Sequence, residues 1–258
     1  MKIVSIDLHS DFGFFRKPDT NNTINLSYNI IHKPGILGVL GAILGLEGYR
    51  EKGVLPAYYL KLKDLKIAVE PLMHDKGNFT KTAIKYTNTV GYANKGNNFL
   101  TEELTLINPA YRIYLQLDDT IELHVKLFDY LKEAKTEFIP YFGKNEFTAW
   151  WTKESFRIYR STINPQVDKQ GVRVKSLFKK TLNLKDNKEQ PYPDLMSLGS
   201  DEAELPFVFF ERLPYLFDEK LMQYILEDFA YTDYLVKNAH TMEGLCHLIE
   251  EDTYVQFI

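Results

Sequence analysis

The stretch SIDLHSD near the start of the chain sets Asp7, His9 and Asp11 at alternate positions, so in an extended strand all three side chains leave one face. An Asp-x-His pair after a first strand can open a dinuclear metallophosphoesterase site, since carboxylate and imidazole donors then stand side by side. Such a site needs more ligands: a downstream Gly-Asp, a Gly-Asn-His and further histidines. The sequence has no Gly-Asp pair and offers GNN at 96–98 instead of Gly-Asn-His; His32, His74, His124, His240 and His247 stand in no ligand-like pairing. The three residues therefore read as polar positions at a strand edge, and no metal is expected. HLIEE (247–251) lacks the final histidine of a His-x-x-Glu-His zinc site and reads as an exposed acidic helix end.

Other catalytic chemistries find no foothold. A Walker lysine is absent, and nucleophilic catalysis has no candidate by motif. Cys246, the single cysteine, excludes an intramolecular disulfide and a cysteine-based zinc site; it is expected to pack in a core. HKPGILGVLGAILGLEGY (32–49) reads as a helix entered at Pro34 that carries Gly35, Gly38, Gly41, Gly45 and Gly48. Its spacing is not Gly-x-Gly-x-x-Gly, and it does not follow its strand by a tight turn, so it is no dinucleotide fingerprint. Each interior glycine costs about 0.5–1 kcal/mol relative to alanine. Four of the glycines fall on one stripe, which admits the close approach of a sheet, a helix or a nucleic acid.

What remains is binding chemistry. Arg16 and Lys17 follow Phe14 and Phe15; His32 and Lys33 stand at the helix entry; Lys76, Lys81, Lys85 and Lys95 mix with Phe79, Tyr86 and Tyr92. Cations that track phosphates, interleaved with aromatic rings that stack on unpaired bases, suit single-stranded RNA. Exposed amides at Gly35 and Ile36 would add a phosphate cradle at the helix start.

These residues need a frame. KIVSIDL reads as a strand that continues or bends at Gly13, RKPDTNNT as a turn, and AYYLKLKDLKIAVEPL as a long strand or hairpin. Residues 73–101 lack a sustained apolar period and read as a long excursion. AYRIYLQL (Ala110 to Leu117) reads as a strand, and DDTIELHVKLFDYLKEA as a helix capped by Asp118, Asp119 and Thr120, with Ile121, Val125, Phe128 and Leu131 on its apolar face. TEFIPYFGKNEFTAWW reads as strand, Gly143 turn, strand. The order matches the ferredoxin-like β-α-β-β-α-β pattern, an α+β fold that covers one face of its sheet and leaves the other available. Beyond it, FRIYR and GVRVKSLFKK read as short basic strands, LPFVFFERLP as a strand ending at its proline, and DEKLMQYILEDFAYTDYLVKNA as an acidic helix. The expected organisation is residues 1–151 as one domain and 152–258 as a smaller β-rich part.

With 258 residues and 45% apolar content, the chain can bury a sizeable core. Residues 1–143 hold 17 Lys/Arg against 16 Asp/Glu, 144–185 hold 10 against 3, and 186–258 hold 4 against 16, so the net charge of −4 divides into +1, +7 and −12. A basic middle before an acidic end suggests two different contact surfaces. The apolar stretch from Gly35 to Leu46 is far short of the roughly 20 residues that span a bilayer, and no secretory signal is read at the start. A soluble, cytoplasmic protein without a membrane partner is expected.

FGFFRKPDTNNT, SYNIIHKPGILGVLGAILGLEGY, NPAYRIYLQL, IPYFGKNEF and FFERLPY together resemble the fifth-numbered CRISPR-associated family (Cas-five) of the RAMP superfamily, with ERLPY closest to the type I-B branch. The resemblance implies a ferredoxin-like (RRM-like) RAMP domain with a β-rich C-terminal part. It implies a type I Cascade subunit that caps the 5′ handle of the guide RNA in antiviral defence, without cofactor or metal. A thumb-like insertion, here about 73–101, would contact that RNA and the first backbone subunit; the large subunit sits beside it, and target DNA is met through the complex. The glycine stripe would let the first helix lie against the sheet, while its entry faces the handle. The RNA-binding set implied is Arg16, Lys17, His32, Lys33, Gly35, Lys76, Lys81, Lys85, Tyr86, Lys95, Lys144 and Asn145. The type I-C branch cleaves repeat RNA without metal through a Tyr, Lys and His set that has no match here. A non-catalytic role is therefore expected, with metal-independent repeat-RNA cleavage through His32 as the alternative.

Overall fold

The computed structural model describes residues 1–18, 24–87, 100–167, 170–180, 190–195 and 206–258. Lys95, Tyr92 and most of the polar turn after Pro18 lie outside these residues. In chain order the elements are β1 (Lys2–His9), β2 (Phe12–Gly13), β3 (Phe15–Arg16), β4 (Ile24–Tyr28), α1 (Lys33–Leu44), α2 (Ala57–Leu62), β5 (Lys66–Leu72), β6 (Lys81–Thr87), β7 (Leu100–Ile107), β8 (Ala110–Leu117) and α3 (Glu122–Lys132). There follow β9 (Arg157–Tyr159), β10 (Ser161–Ile163), β11 (Phe178–Lys179), β12 (Tyr192–Pro193), β13 (Val208–Asp218), β14 (Gln223–Thr232), β15 (Val236–Lys237), β16 (Leu245–Leu248) and β17 (Thr253–Gln256).

A four-stranded antiparallel sheet in the order β5-β8-β1-β9 is the centre of the molecule. Alternation sends Val4, Ile6 and Leu8 of β1, Ile113 and Leu115 of β8, and Ile67 and Val69 of β5 to one face. There they bury against Ile36, Leu37, Leu40 and Ile43 of α1 and Leu127 and Leu131 of α3. The opposite face is not free, as the sequence suggested. Ile3, Ala68, Tyr114 and Tyr159 are covered by Cys246, Leu248, Val255 and Phe257 from β16, β17 and the chain after them. Cys246 is buried there as a free thiol. No helix of the described residues is long and apolar enough to cross a membrane.

Asp7 belongs to this second face. It sits opposite Arg112 in the β1–β8 register and accepts from Arg112 Nε at 2.7 Å and Nη2 at 3.0 Å. Glu70 and Glu251 lie 3.8 and 3.9 Å from the same guanidinium, and Tyr114 donates to Glu70 at 2.6 Å. The guanidinium is thus committed to carboxylates, and Asp7 is half of an internal ion pair. His9 stacks on Trp150 with ring centroids 6.4 Å apart.

Several sequence expectations yield to tertiary partners. In AYYLKLKDLK the buried residues are Tyr59, Leu62 and Leu65, a helical spacing, and Ala57–Leu62 forms α2, so the expected strand begins only at Lys66 as β5. The glycine stripe meets this helix and not the sheet: a Cβ on Gly41 would fall 2.5 Å from Tyr58 Cβ. Helix α1 stops at Leu44 because Gly45 takes the left-handed cap conformation (φ 74°), so Gly48 lies outside it. Helix α3 starts at Glu122 with no side-chain cap, since Asp118 spends its carboxylate on Thr120, and its buried residues are Leu127 and Leu131 while Ile121 and Val125 are exposed. The strands expected within 136–151 reduce to isolated bridges, Tyr141 with Thr148 and His9 with Trp150, and Arg157–Tyr159 takes the edge position beside β1.

The expected acidic helix is instead β14, the antiparallel partner of β13, which runs past Pro214 through a bulge. Within the excursion expected at 73–101 lies β6, which pairs with β7 in full register from Lys81–Leu106 to Thr87–Leu100. The basic middle and acidic end meet each other in part, through Arg160–Glu250 at 2.8 Å and Lys175–Glu251 at 2.9 Å.

Candidate nucleic-acid interface

The start of α1 faces a groove of about 620 Å³ whose walls come from β3, α1, α2, β7, the 138–144 segment and β14. Helix α1 begins with His32 as its N-cap, an unusual residue for that position; its Nδ1 accepts the Gly35 N–H at 3.1 Å, while its carbonyl accepts the Ile36 N–H at 3.0 Å. Since Nδ1 accepts, the ring proton resides on Nε2. The ring is edge-on to Phe15, Tyr28 and Tyr224, and burial depresses its pKa to about 3. His32 is a neutral structural cap.

The same burial corrects two further expectations. The Gly35 and Ile36 amides are spent on His32, so no open phosphate cradle exists there. Lys33 is only 3% exposed; its Nζ donates to the main-chain oxygen of Ile258 at 3.1 Å and lies over the Tyr215 ring. Burial, reinforced by Lys66 and Lys179 and opposed by Asp64, lowers its pKa to about 8. The cause is the β13–β14 hairpin, whose Tyr215 and Tyr224 cover the helix entry. Lys17 is likewise engaged, 3.2 Å from Glu211, which also accepts the Asn29 and Ile30 amides at 2.9 and 3.1 Å.

Arg16, one residue earlier on β3, is exposed, lines the groove and makes no hydrogen bond or ion pair among the described residues. Lys144 lines the same groove; it pairs with Glu103 of β7, and its ammonium lies 4.2 Å from the Tyr86 ring centroid. Burial disfavours its charge, but the bonds to Glu103 and Tyr86 outweigh that and leave its pKa raised. Asn145 is exposed beside it. Arg16 and Lys144 thus share one groove, with Tyr86 against the Lys144 ammonium, although 70 residues of numbering separate Arg16 from Tyr86 and 58 separate Tyr86 from Lys144.

The other lysines are dispersed over β6 and its approach. Lys85 is exposed, 3.7 Å from Glu102. Lys81 is half-buried, and that burial lowers its pKa against the pull of Glu211. Lys76 is exposed in the 75–78 turn, with φ 48°. Phe79, expected among RNA-stacking rings, is buried in the core.

The sequence did not single out the groove's four tyrosines, Tyr49, Tyr58, Tyr141 and Tyr224, which come from separate segments with no local spacing to connect them. Burial raises the Tyr58 hydroxyl well above its ordinary range, with added contributions from Tyr49, Tyr224 and Tyr141; Tyr224 is pushed up to about 12 by burial and Tyr49. Among the described residues no group of three or more His, Cys, Asp or Glu could hold a metal ion.

No family model matches this chain, and no curated protein matches its sequence. Solved structures do share its architecture. The chain is similar over 92% of its length to 91% of a chain in a CRISPR RNA-guided surveillance complex, with a TM-score of 0.50 and 12% identity. Over 99% of both chains it is similar to one in the Type III-B Cmr-beta bound to cognate target RNA and AMPPnP, with a TM-score of 0.52 and 10% identity. Over 98% of both chains it is similar to one in Cmr-beta bound to cognate target RNA, with a TM-score of 0.50 and 10% identity. The mixed α+β fold of this chain is therefore one found in CRISPR-associated proteins.

Proposed function

We propose that this chain is a non-catalytic subunit of a CRISPR RNA-guided complex that binds guide RNA. In the finer form of this reading it is a cytoplasmic Cas-five-type protein that caps the 5′ handle in a type I complex, closest to type I-B. It then contacts backbone and large subunits there and meets target DNA through the complex. The observation that carries the proposal is the end-to-end fold likeness, over 98–99% of both chains, to chains in RNA-bound CRISPR assemblies. A ferredoxin-like RAMP domain is supported by the antiparallel order β5-β8-β1-β9, with helices after its first and third strands in the chain.

The RNA contacts proposed are Arg16, Lys76, Lys85, Tyr86, Lys144 and Asn145, which lie in the groove wall, on β6 and in the turns at 75–78 and 143–145. His32, Lys33 and Gly35 act one layer below, by fixing where α1 begins. Cleavage through His32 is disfavoured by its neutral, capped and buried ring, since a general acid-base must titrate near working pH and reach its substrate. The test is incubation of the purified protein with labelled repeat RNA in EDTA, read on native and denaturing gels. Retention at full length is the expected result. Discrete shortening abolished by His32→Asn would refute the non-catalytic role, and absence of retention would refute RNA binding.

A further inference from the structure

The groove along α1 has features that phosphate contact alone does not use. Its floor at Gly38 is bare: a Cβ there would meet only the Tyr58 ring, at 3.9 Å. Its walls carry the hydroxyls of Tyr49, Tyr58, Tyr141 and Tyr224, and Phe138 stands 56% exposed at the rim. Each tyrosine hydroxyl can both donate and accept a hydrogen bond. A nucleobase edge needs that mixture, and its faces suit aromatic rings.

Charge and volume narrow the occupant. Lys144 is paired with Glu103 and His32 is neutral, which leaves Arg16 as the wall's charge with no ion-pair partner among the described residues, a complement for one phosphodiester. About 620 Å³ lies within the 300–1,000 Å³ range usual for small-ligand sites and is too little for a duplex. A peptide would look for main-chain partners, yet the helix-start amides here are bonded to His32.

We propose that this groove receives one unpaired nucleobase of a bound single-stranded RNA, between the tyrosines and over Gly38, with the adjoining phosphate on Arg16. The inference rests on the RNA-binding reading above and adds a defined subsite to it. The base is held by ring contact and by hydroxyls, so the subsite tolerates more than one base but not its removal.

An abasic scan tests this. Single abasic sites are walked through the labelled repeat RNA, and binding to the full chain is read by fluorescence anisotropy. One position should weaken binding about tenfold, with the others within about twofold. Gly38→Leu, which fills the floor, and Tyr141→Ala, at the exposed rim, should each weaken binding of intact RNA and erase the penalty at that position. The second variant keeps the test decisive if the first unfolds. A flat scan on RNA that binds would overturn the subsite while leaving the RNA-binding reading intact; a peptide occupant would give that outcome. A positional penalty that survives both variants places the base elsewhere and also overturns it. Failure of any RNA to bind overturns both.

Discussion

Gly38→Ala and Gly41→Ala are the same chemical change three positions apart on α1, and the structure gives them opposite signs. In a helix interior the change gains about 0.5–1 kcal/mol, because glycine loses more backbone freedom on folding. At position 38 the new methyl meets Tyr58 at 3.9 Å, an ordinary contact, so the gain stands. At position 41 it would lie 2.5 Å from Tyr58 Cβ and 2.9 Å from Cγ. Helix α2 cannot simply slide away, because Leu62 is buried and the Tyr59 hydroxyl accepts the Phe217 N–H at 2.8 Å.

Overpacking of this kind costs about 1–3 kcal/mol, which leaves Gly41→Ala destabilised by up to about 2 kcal/mol. The two variants should differ by about 1–3 kcal/mol, or roughly 2–12 °C in unfolding midpoint for a chain of this size. Because the overlap begins at Tyr58 Cβ, adding Tyr58→Ala should not relieve Gly41→Ala, whereas adding Tyr58→Gly should. Urea and thermal unfolding followed by far-ultraviolet circular dichroism read all of these variants. Equal stability of the two alanine variants, or rescue by Tyr58→Ala, would refute the close packing of α1 on α2.

His32 titrates at about 3 when folded against 6.5 when free, so its neutral burial supports the fold fully above pH 6.5 and progressively less as pH falls toward 3. Lowering the pH from 7 to 5 should cost about 2 kcal/mol through this residue, and His32→Asn, which keeps a cap acceptor, should flatten that part of the urea-midpoint profile. Arg112→Leu leaves Asp7 without its two-point partner and should destabilise by about 3 kcal/mol, with much of the loss recovered in Arg112→Leu with Asp7→Leu; a single-variant loss below about 1 kcal/mol would contradict the pairing. In RNA binding, Arg16→Ala should lower the salt slope of log K by about 1. Lys33→Met, a buried position, should leave affinity within about twofold, and a loss like that of Arg16→Ala would show that the helix entry opens.

What could be read from sequence was local. β1 and β8 announced themselves by branched residues and alternation, and α1 by Pro34 near its start and Gly45 after its end, because those signals act within a few residues. Residues 218–239 satisfied a helical period as readily as a strand period: the apolar Leu221, Tyr224, Ile225 and Phe229 recur at three and four. The decision rests on β13 lying alongside and on Met222 turning the chain at φ 52°, neither of which is carried by the segment's own pattern.

The site divides along the same line. Residue type and spacing identified cations and rings that suit RNA, but the division between a contact residue and a supporting one is set by what covers each. Arg16 and Lys17 are neighbours in sequence, yet strand alternation turns Lys17 toward Glu211, 194 positions later, and Arg16 toward solvent. His32 and Lys33 stood at the helix entry as expected RNA contacts, and the β13–β14 hairpin covers them with Tyr224 and Tyr215. Asp7 follows the same logic, since the register of β1 on β8 supplies Arg112 where a metal site would need an open coordination position. In each case a charged or titratable group near the N-terminus is paired with, or buried by, a segment far away in the chain. The groove's functional character therefore falls to groups left over from that pairing, the Arg16 guanidinium and the tyrosine rings.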